Sequence, residues 1–76
     1  MQLTVVYSPV ARDVREIQLS VDAPLTVLGC IRLCGLLEQF PNLDRKDMQV
    51  GVWGRQSSLG HLLRNLDRVE IYRPLT

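Results

Sequence analysis

Histidine and lysine each occur once in this chain of 76 residues, as His61 and Lys46, and cysteine only twice, as Cys30 and Cys34. A lone histidine with two thiols falls short of the roughly four ligands a structural zinc site requires. Nor does His61 stand in any order that pairs a nucleophile with a base. The glycines Gly51, Gly54 and Gly60 have neither the spacing nor the following lysine of a phosphate loop. No catalytic residue, metal site or cofactor is therefore assigned.

Charge of one sign is also lacking. Nine basic and eight acidic side chains leave a net charge of +1, and no run of like charge exceeds two residues. Nucleic-acid binding usually shows as a basic face, so nucleic acid is not expected as a partner. No stretch approaches the ~18 apolar residues of a membrane span, and the opening residues lack the basic and apolar regions of a signal peptide. A cytoplasmic protein with reduced thiols and no membrane insertion is expected. Repeats, linkers and low-complexity tracts are missing as well, which leaves one domain over residues 1–76. A domain this small buries only about 60% of its unfolded surface, so single side chains weigh heavily in its stability.

What is present is alternation. Leu3, Val5 and Tyr7 alternate with Gln2, Thr4 and Val6, a strand that Ser8-Pro9 should break, and Ala11-Arg12-Asp13 should turn. Ile17, Leu19 and Val21 form the apolar face of a second strand, giving an antiparallel hairpin with one apolar side to cover. The cover is a helix capped by Thr26, with Val27, Cys30, Ile31 and Cys34 at i, i+3, i+4 and i+7. Gly29 at the third position denies it a capping box, and Gly35 is placed to end it in the left-handed conformation. Leu36, Leu37 and Phe40 add apolar mass before Pro41, and Asn42 to Asp47 is a polar connector. Val50-Gly51-Val52-Trp53 reads as a short strand and Gly54 to Ser58 as a turn. Leu59, Leu62, Leu63 and Leu66 are expected to plug the open end of the core. A final strand, Arg68 to Tyr72, turns Val69 and Ile71 inward and Glu70 and Tyr72 outward, and Pro74 ends it.

This order is that of an α+β, ubiquitin-like β-grasp: a mixed sheet of four to five strands packed on one helix. Three segments narrow it further: Gly35-Leu36-Leu37-Glu38-Gln39-Phe40-Pro41, Val50-Gly51-Val52-Trp53-Gly54-Arg55, and Asp67 through Leu75. Together with Val5-Val6-Tyr7 they resemble the RnfH family of bacterial ubiquitin-like proteins, over essentially the whole chain. The resemblance implies a cytoplasmic bacterial protein without enzymatic activity that works by protein–protein interaction. It also implies a link by gene neighbourhood to a membrane electron-transport complex or to a toxin-like START-domain protein. The chain departs from the family's pattern at Leu28, Gly29 and Leu33, on outer helix positions, and at its close on Thr76, where relatives continue with a basic tail. It departs again at Asn65-Leu66, where a glycine turn is usual, so Asn65 is expected to take the positive φ.

Two other classes compete with an interaction module. Sulfur carriers and modifiers of this fold end in Gly-Gly, whereas here the residues are Arg73-Pro74-Leu75-Thr76, bulky and restricted at proline. An accessory subunit of a multicomponent oxidoreductase is the other alternative. Under the ubiquitin-like register, the sheet face away from the helix carries Thr4, Val6, Gly51, Glu70 and Tyr72, with Trp53 at its border, and a protein partner is expected there. Leu33 offers a second surface. At 3.6 residues per turn it lies about 160° from Ile31, nearly opposite the buried stripe, and suggests weak self-association, whereas Leu28 lies about 60° from Ile31 at the stripe's edge. Both cysteines fall on the stripe and are read as small core hydrophobes.

Overall fold

The structure, a computed structural model, describes residues 1–10, 12–22, 24–41 and 49–72. The polar connector at 42–47 and the stretch 73–76 lie outside the described residues. The elements run β1 (Gln2–Val10), β2 (Asp13–Ser20), α1 (Val27–Leu33), α2 (Leu36–Gln39), β3 (Gln49–Val52), β4 (Arg55–Ser57) and β5 (Arg68–Tyr72). The strands form one mixed sheet in the order β2-β1-β5-β3-β4, with β1 parallel to β5 and the other neighbours antiparallel. This is the expected β-grasp, with five strands and a single-turn second helix added to the first.

Alternation decides which side of the sheet is dry. Leu3, Val5, Tyr7, Val50, Val69 and Ile71 are buried on the inner face, against Val27, Cys30 and Ile31 of α1 and Leu36 of α2. Thr26 caps α1 as expected, its hydroxyl oxygen accepting the Gly29 N–H at 3.1 Å. Gly35 carries the chain out of that helix at φ 81. Phe40 closes the far end, packing edge-on to Tyr7 with ring centroids 5.3 Å apart.

Four local expectations are corrected. β1 does not stop at Ser8-Pro9; it reaches Val10 through a register shift between Tyr7 and Val10, and a bulge is one of the few places a strand accepts proline. Residues 55–57 are a strand, because Trp53 and Gly54 turn the chain at φ 51 and φ 78 and return it antiparallel to β3. Two consecutive positive φ values are the mark of a tight hairpin turn whose twist matches its strands, here without the usual Asn-Gly pair. Of the four leucines meant to plug the core, Leu63 is buried and Leu59 packs at its margin, whereas Leu62 and Leu66 are 62% and 67% exposed. Leu62 forms a bridge with Thr26 in extended backbone, where neighbouring side chains point opposite ways, so Leu62 and Leu63 cannot both turn inward.

The last correction concerns the turn before β5. Leu66, not Asn65, has the positive φ, at 70. Asn65 is engaged with the start of β1 instead. Its Oδ1 accepts the Gln2 N–H at 2.7 Å, while the Leu66 N–H donates to the Gln2 carbonyl at 2.6 Å. The strain on Leu66 is offset by this lock on β1. Since the Leu66 side chain is largely exposed, Leu66→Gly should relieve the strain at little packing cost and raise stability by about 1 kcal/mol. Urea denaturation checks this; a lowered midpoint would show that the leucine contributes packing that outweighs its backbone strain.

Candidate functional site

The outer face of the sheet is built around one glycine. Gly51 on β3 lies opposite Glu70 on β5, which in turn lies opposite Val6 on β1. A Cβ at Gly51 would run into the Tyr72 hydroxyl and would stand 2.8 Å from the Arg55 carbonyl oxygen. The glycine therefore leaves the hollow that the hydroxyl end of the Tyr72 phenol occupies over β3. Gly51 is buried as a result, although it sits on the solvent side of the sheet.

Glu70 holds the arrangement together. Its Oε1 accepts the Tyr72 O–H at 3.0 Å and the Gly54 N–H at 2.8 Å, and its Oε2 stands 3.6 Å from Arg68 Nε. One carboxylate thus fixes the tyrosine, the Trp53-Gly54 turn and a neighbouring guanidinium. The Tyr72 phenol is pushed above its ordinary pKa, first by desolvation and then by its hydrogen bond and proximity to Glu70. It stays protonated and donating throughout the physiological range. The ring is 37% exposed, and Trp53, in the adjoining turn, is 62% exposed.

The structure brings Val6, Gly51, Glu70 and Tyr72 into one continuous face, with Thr4 on the same side and Trp53 in the turn that Glu70 pins. Leu33 does not belong to it. It is 59% exposed on α1, and α1 covers the other side of the sheet. Arg68 was missed by the sequence reading although its signal was there, since positions 68, 70 and 72 of one strand share a face. The Gly54 N–H was not anticipated, because the turn read from the sequence ran from Gly54 to Ser58 and not tightly through residues 53 and 54.

The thiols lie elsewhere. Cys30 is fully buried and its pKa is pushed up to about 11, by desolvation first and by neighbouring Cys34 second. Cys34 is half-buried, donates to the Ile31 carbonyl, and is also raised by burial, partly offset by backbone hydrogen bonds. His61 is exposed; its carbonyl, rather than its ring, is engaged, accepting the Val27 N–H at 2.9 Å. Among the described residues, no three of histidine, cysteine, aspartate and glutamate converge as a metal site. No helix among them is long and apolar enough to cross a membrane.

Comparison with known proteins bears on this chain at two levels. The model of the family described as "RnfH family Ubiquitin" matches residues 1–76. A Protein RnfH of Paramagnetospirillum magneticum is 38% identical over all of this chain and 77% of its own length. One of Coxiella burnetii is 36% identical, over all of this chain and 74% of its own. A third, of Laribacter hongkongensis, is 44% identical over 59 residues, 78% of this chain and 55% of that protein. Among solved structures, SAMP1 from Haloferax volcanii superposes with a TM-score of 0.73 at 18% identity, covering 100% of this chain and 98% of that one. At that identity the likeness speaks for the fold alone.

Two outcomes follow from the geometry. Gly51→Ala should evict the Tyr72 ring and destabilise the domain by about 1–3 kcal/mol, the usual cost of overpacking. Adding Tyr72→Ala should recover only part of the loss, because the Arg55 carbonyl remains in the way; denaturation of the single and double variants checks both. Cys30→Ser should cost a similar ~1–3 kcal/mol by burying a hydroxyl in an apolar site. In the native state Cys30 should be alkylated far more slowly than a free thiol, as timed mass spectrometry would show, since a buried thiol with a raised pKa offers almost no thiolate at neutral pH.

Proposed function

Because the chain belongs to the RnfH family of ubiquitin-like proteins, we propose that it acts as a non-enzymatic protein-binding module, and that it engages its partner through the outer sheet face around Tyr72. The observation that carries this reading is the hollow at Gly51. A tyrosine laid against backbone, and tethered through its hydroxyl to Glu70, has lost most of its rotational freedom before any partner arrives. Ordering a side chain on binding costs about 0.5–1.5 kcal/mol, so an anchor already in place retains that much affinity. Aromatic anchors of this kind are the side chains that most often dominate binding energy. Val6 adds an apolar centre, and Trp53 supplies a second ring at the rim.

The chemistry fits a protein surface better than a small molecule. The face is open, and its Glu70 carboxylate is already engaged by Tyr72, Gly54 and Arg68. The gene-neighbourhood links that the family resemblance implies, to a membrane electron-transport complex or a toxin-like START-domain protein, supply the first two candidates for binding assays. Against whichever protein binds, Tyr72→Ala should leave the fold nearly intact and weaken affinity by about 1–3 kcal/mol. Calorimetry of the wild type, Tyr72→Ala and Leu33→Glu separates the two faces. Unchanged affinity in folded Tyr72→Ala, with loss in Leu33→Glu, would move the site to the helix.

A further inference from the structure

β2 is a terminal strand of the sheet, and among the described residues no strand lies beside its outer backbone. The groups on that edge can be identified. Val21 donates to the Met1 carbonyl at 2.9 Å, so the bonds to β1 are made by Val21 and, at every second residue before it in the paired register, by Leu19, Ile17 and Arg15. The N–H and C=O groups of Val14, Glu16 and Gln18 consequently point away from the sheet. Val14 is also 61% exposed on the outer face.

The sequence along this edge is Arg12-Asp13-Val14-Arg15-Glu16. Its charges read plus, minus, neutral, plus, minus, and turning it end for end exchanges every sign about Val14. We infer that β2 pairs antiparallel with β2 of a second copy of this chain, about a two-fold axis at Val14. In that register Val14 faces its twin, and each Asp13 lies across from the other copy's Arg15. Arg12, in the turn just before the strand at φ 68, stands outside the paired register and adds only its charge near the other copy's Glu16. Because the outward amides of the two Val14 residues face each other, they form a mutually hydrogen-bonded pair, and the two sheets join into one of ten strands.

Other registers are worse by simple inspection. Centring the pair on Arg15 or on Glu16 stacks like charges on the axis. Centring it on Ile17 or Gln18 sets the charges against neutral residues. Opposite charges directly across strands are favourable and like charges unfavourable, so this pattern selects a register as well as a partner. Asp13 and Arg15 are already side by side, with Arg15 Nε 3.2 Å from Asp13 Oδ1, and the Arg15 guanidinium lies 5.7 Å from the centre of the Phe40 ring. In the pair, the two such bridges close into a four-charge ring. Only a few residues of each strand take part, which places the contact among small, weak interfaces, with a dissociation constant of about 0.1–1 mM.

Sedimentation equilibrium up to about 1 mM protein, with folding checked by circular dichroism, tests the proposal. The wild type should show reversible dimerisation, and Asp13→Arg or Arg15→Asp alone should weaken it about tenfold or more, since each reverses two cross-strand pairs. An equimolar mixture of these two variants should recover dimerisation as a heterodimer, because two positive side chains at positions 13 and 15 then face two negative ones. The double variant Asp13→Arg/Arg15→Asp should recover it as a homodimer. Leu33→Glu should leave the association unchanged. A wild type that is monomeric throughout, single variants that dimerise like the wild type, a mixture that fails to recover, or loss in Leu33→Glu would each overturn the assignment.

Discussion

The first amides of α1 have to be answered, and much of the structure follows from how they are. The helix has seven residues, under two full turns, too few to persist on local propensity. Its Val27 and Leu28 N–H groups donate to the carbonyls of His61 and Leu59, each at 2.9 Å, while Thr26 takes Gly29. The stretch from Leu59 to Leu63 is thereby drawn across the start of the helix, and the Leu63 N–H returns a bond to the Leu25 carbonyl at 2.8 Å. Once these backbone bonds are made, Leu63 has no direction but inward. A segment without regular structure is thus as firmly placed as a strand, and the helix it caps is held to the sheet by Val27, Cys30 and Ile31.

With the inner face settled in this way, the outer face is free to carry function. Parity alone puts Arg68, Glu70 and Tyr72 together, but parity does not determine how a tyrosine lies. That depends on Gly51, and Gly51 depends in turn on β4, whose Arg55 carbonyl forms the other wall of the hollow. The tight turn at Trp53 and Gly54 brings β4 back and also offers the amide that orients Glu70. Hairpin and tyrosine are one unit, joined by a carboxylate with three partners.

The periodic parts of this architecture were legible in the sequence. Alternation at Leu3, Val5 and Tyr7 and at Val69 and Ile71 gave the strands and their inward sides, and the 3.6-residue stripe with Thr26 and Gly35 gave the helix and both its ends. The failures share a cause, which is backbone geometry decided by distant partners. Leu66 takes a positive φ that local chemistry would assign to Asn65, because Asn65 is needed at Gln2. Trp53 takes one because β4 must return beside β3. Pro9 stays in a strand because the ladder shifts register around it. The exposure of Leu62 likewise follows from a bridge to Thr26 that no composition rule contains.

The pairing of β1 with β5 has a mechanical side. Thr4 lies opposite Arg68 and Tyr7 opposite Ile71, so the two strands run the same way at the centre of the sheet. Tension drawn backward through the start of β1 and forward through the end of β5 would slide one strand along the other. Every bond of the ladder, together with the Gln2 clasp on Asn65 and Leu66, would carry that load at once. A hairpin such as β3–β4, pulled open from its free ends, yields one bond at a time. The domain therefore resists force along one line far better than across it, in the manner of a lap joint.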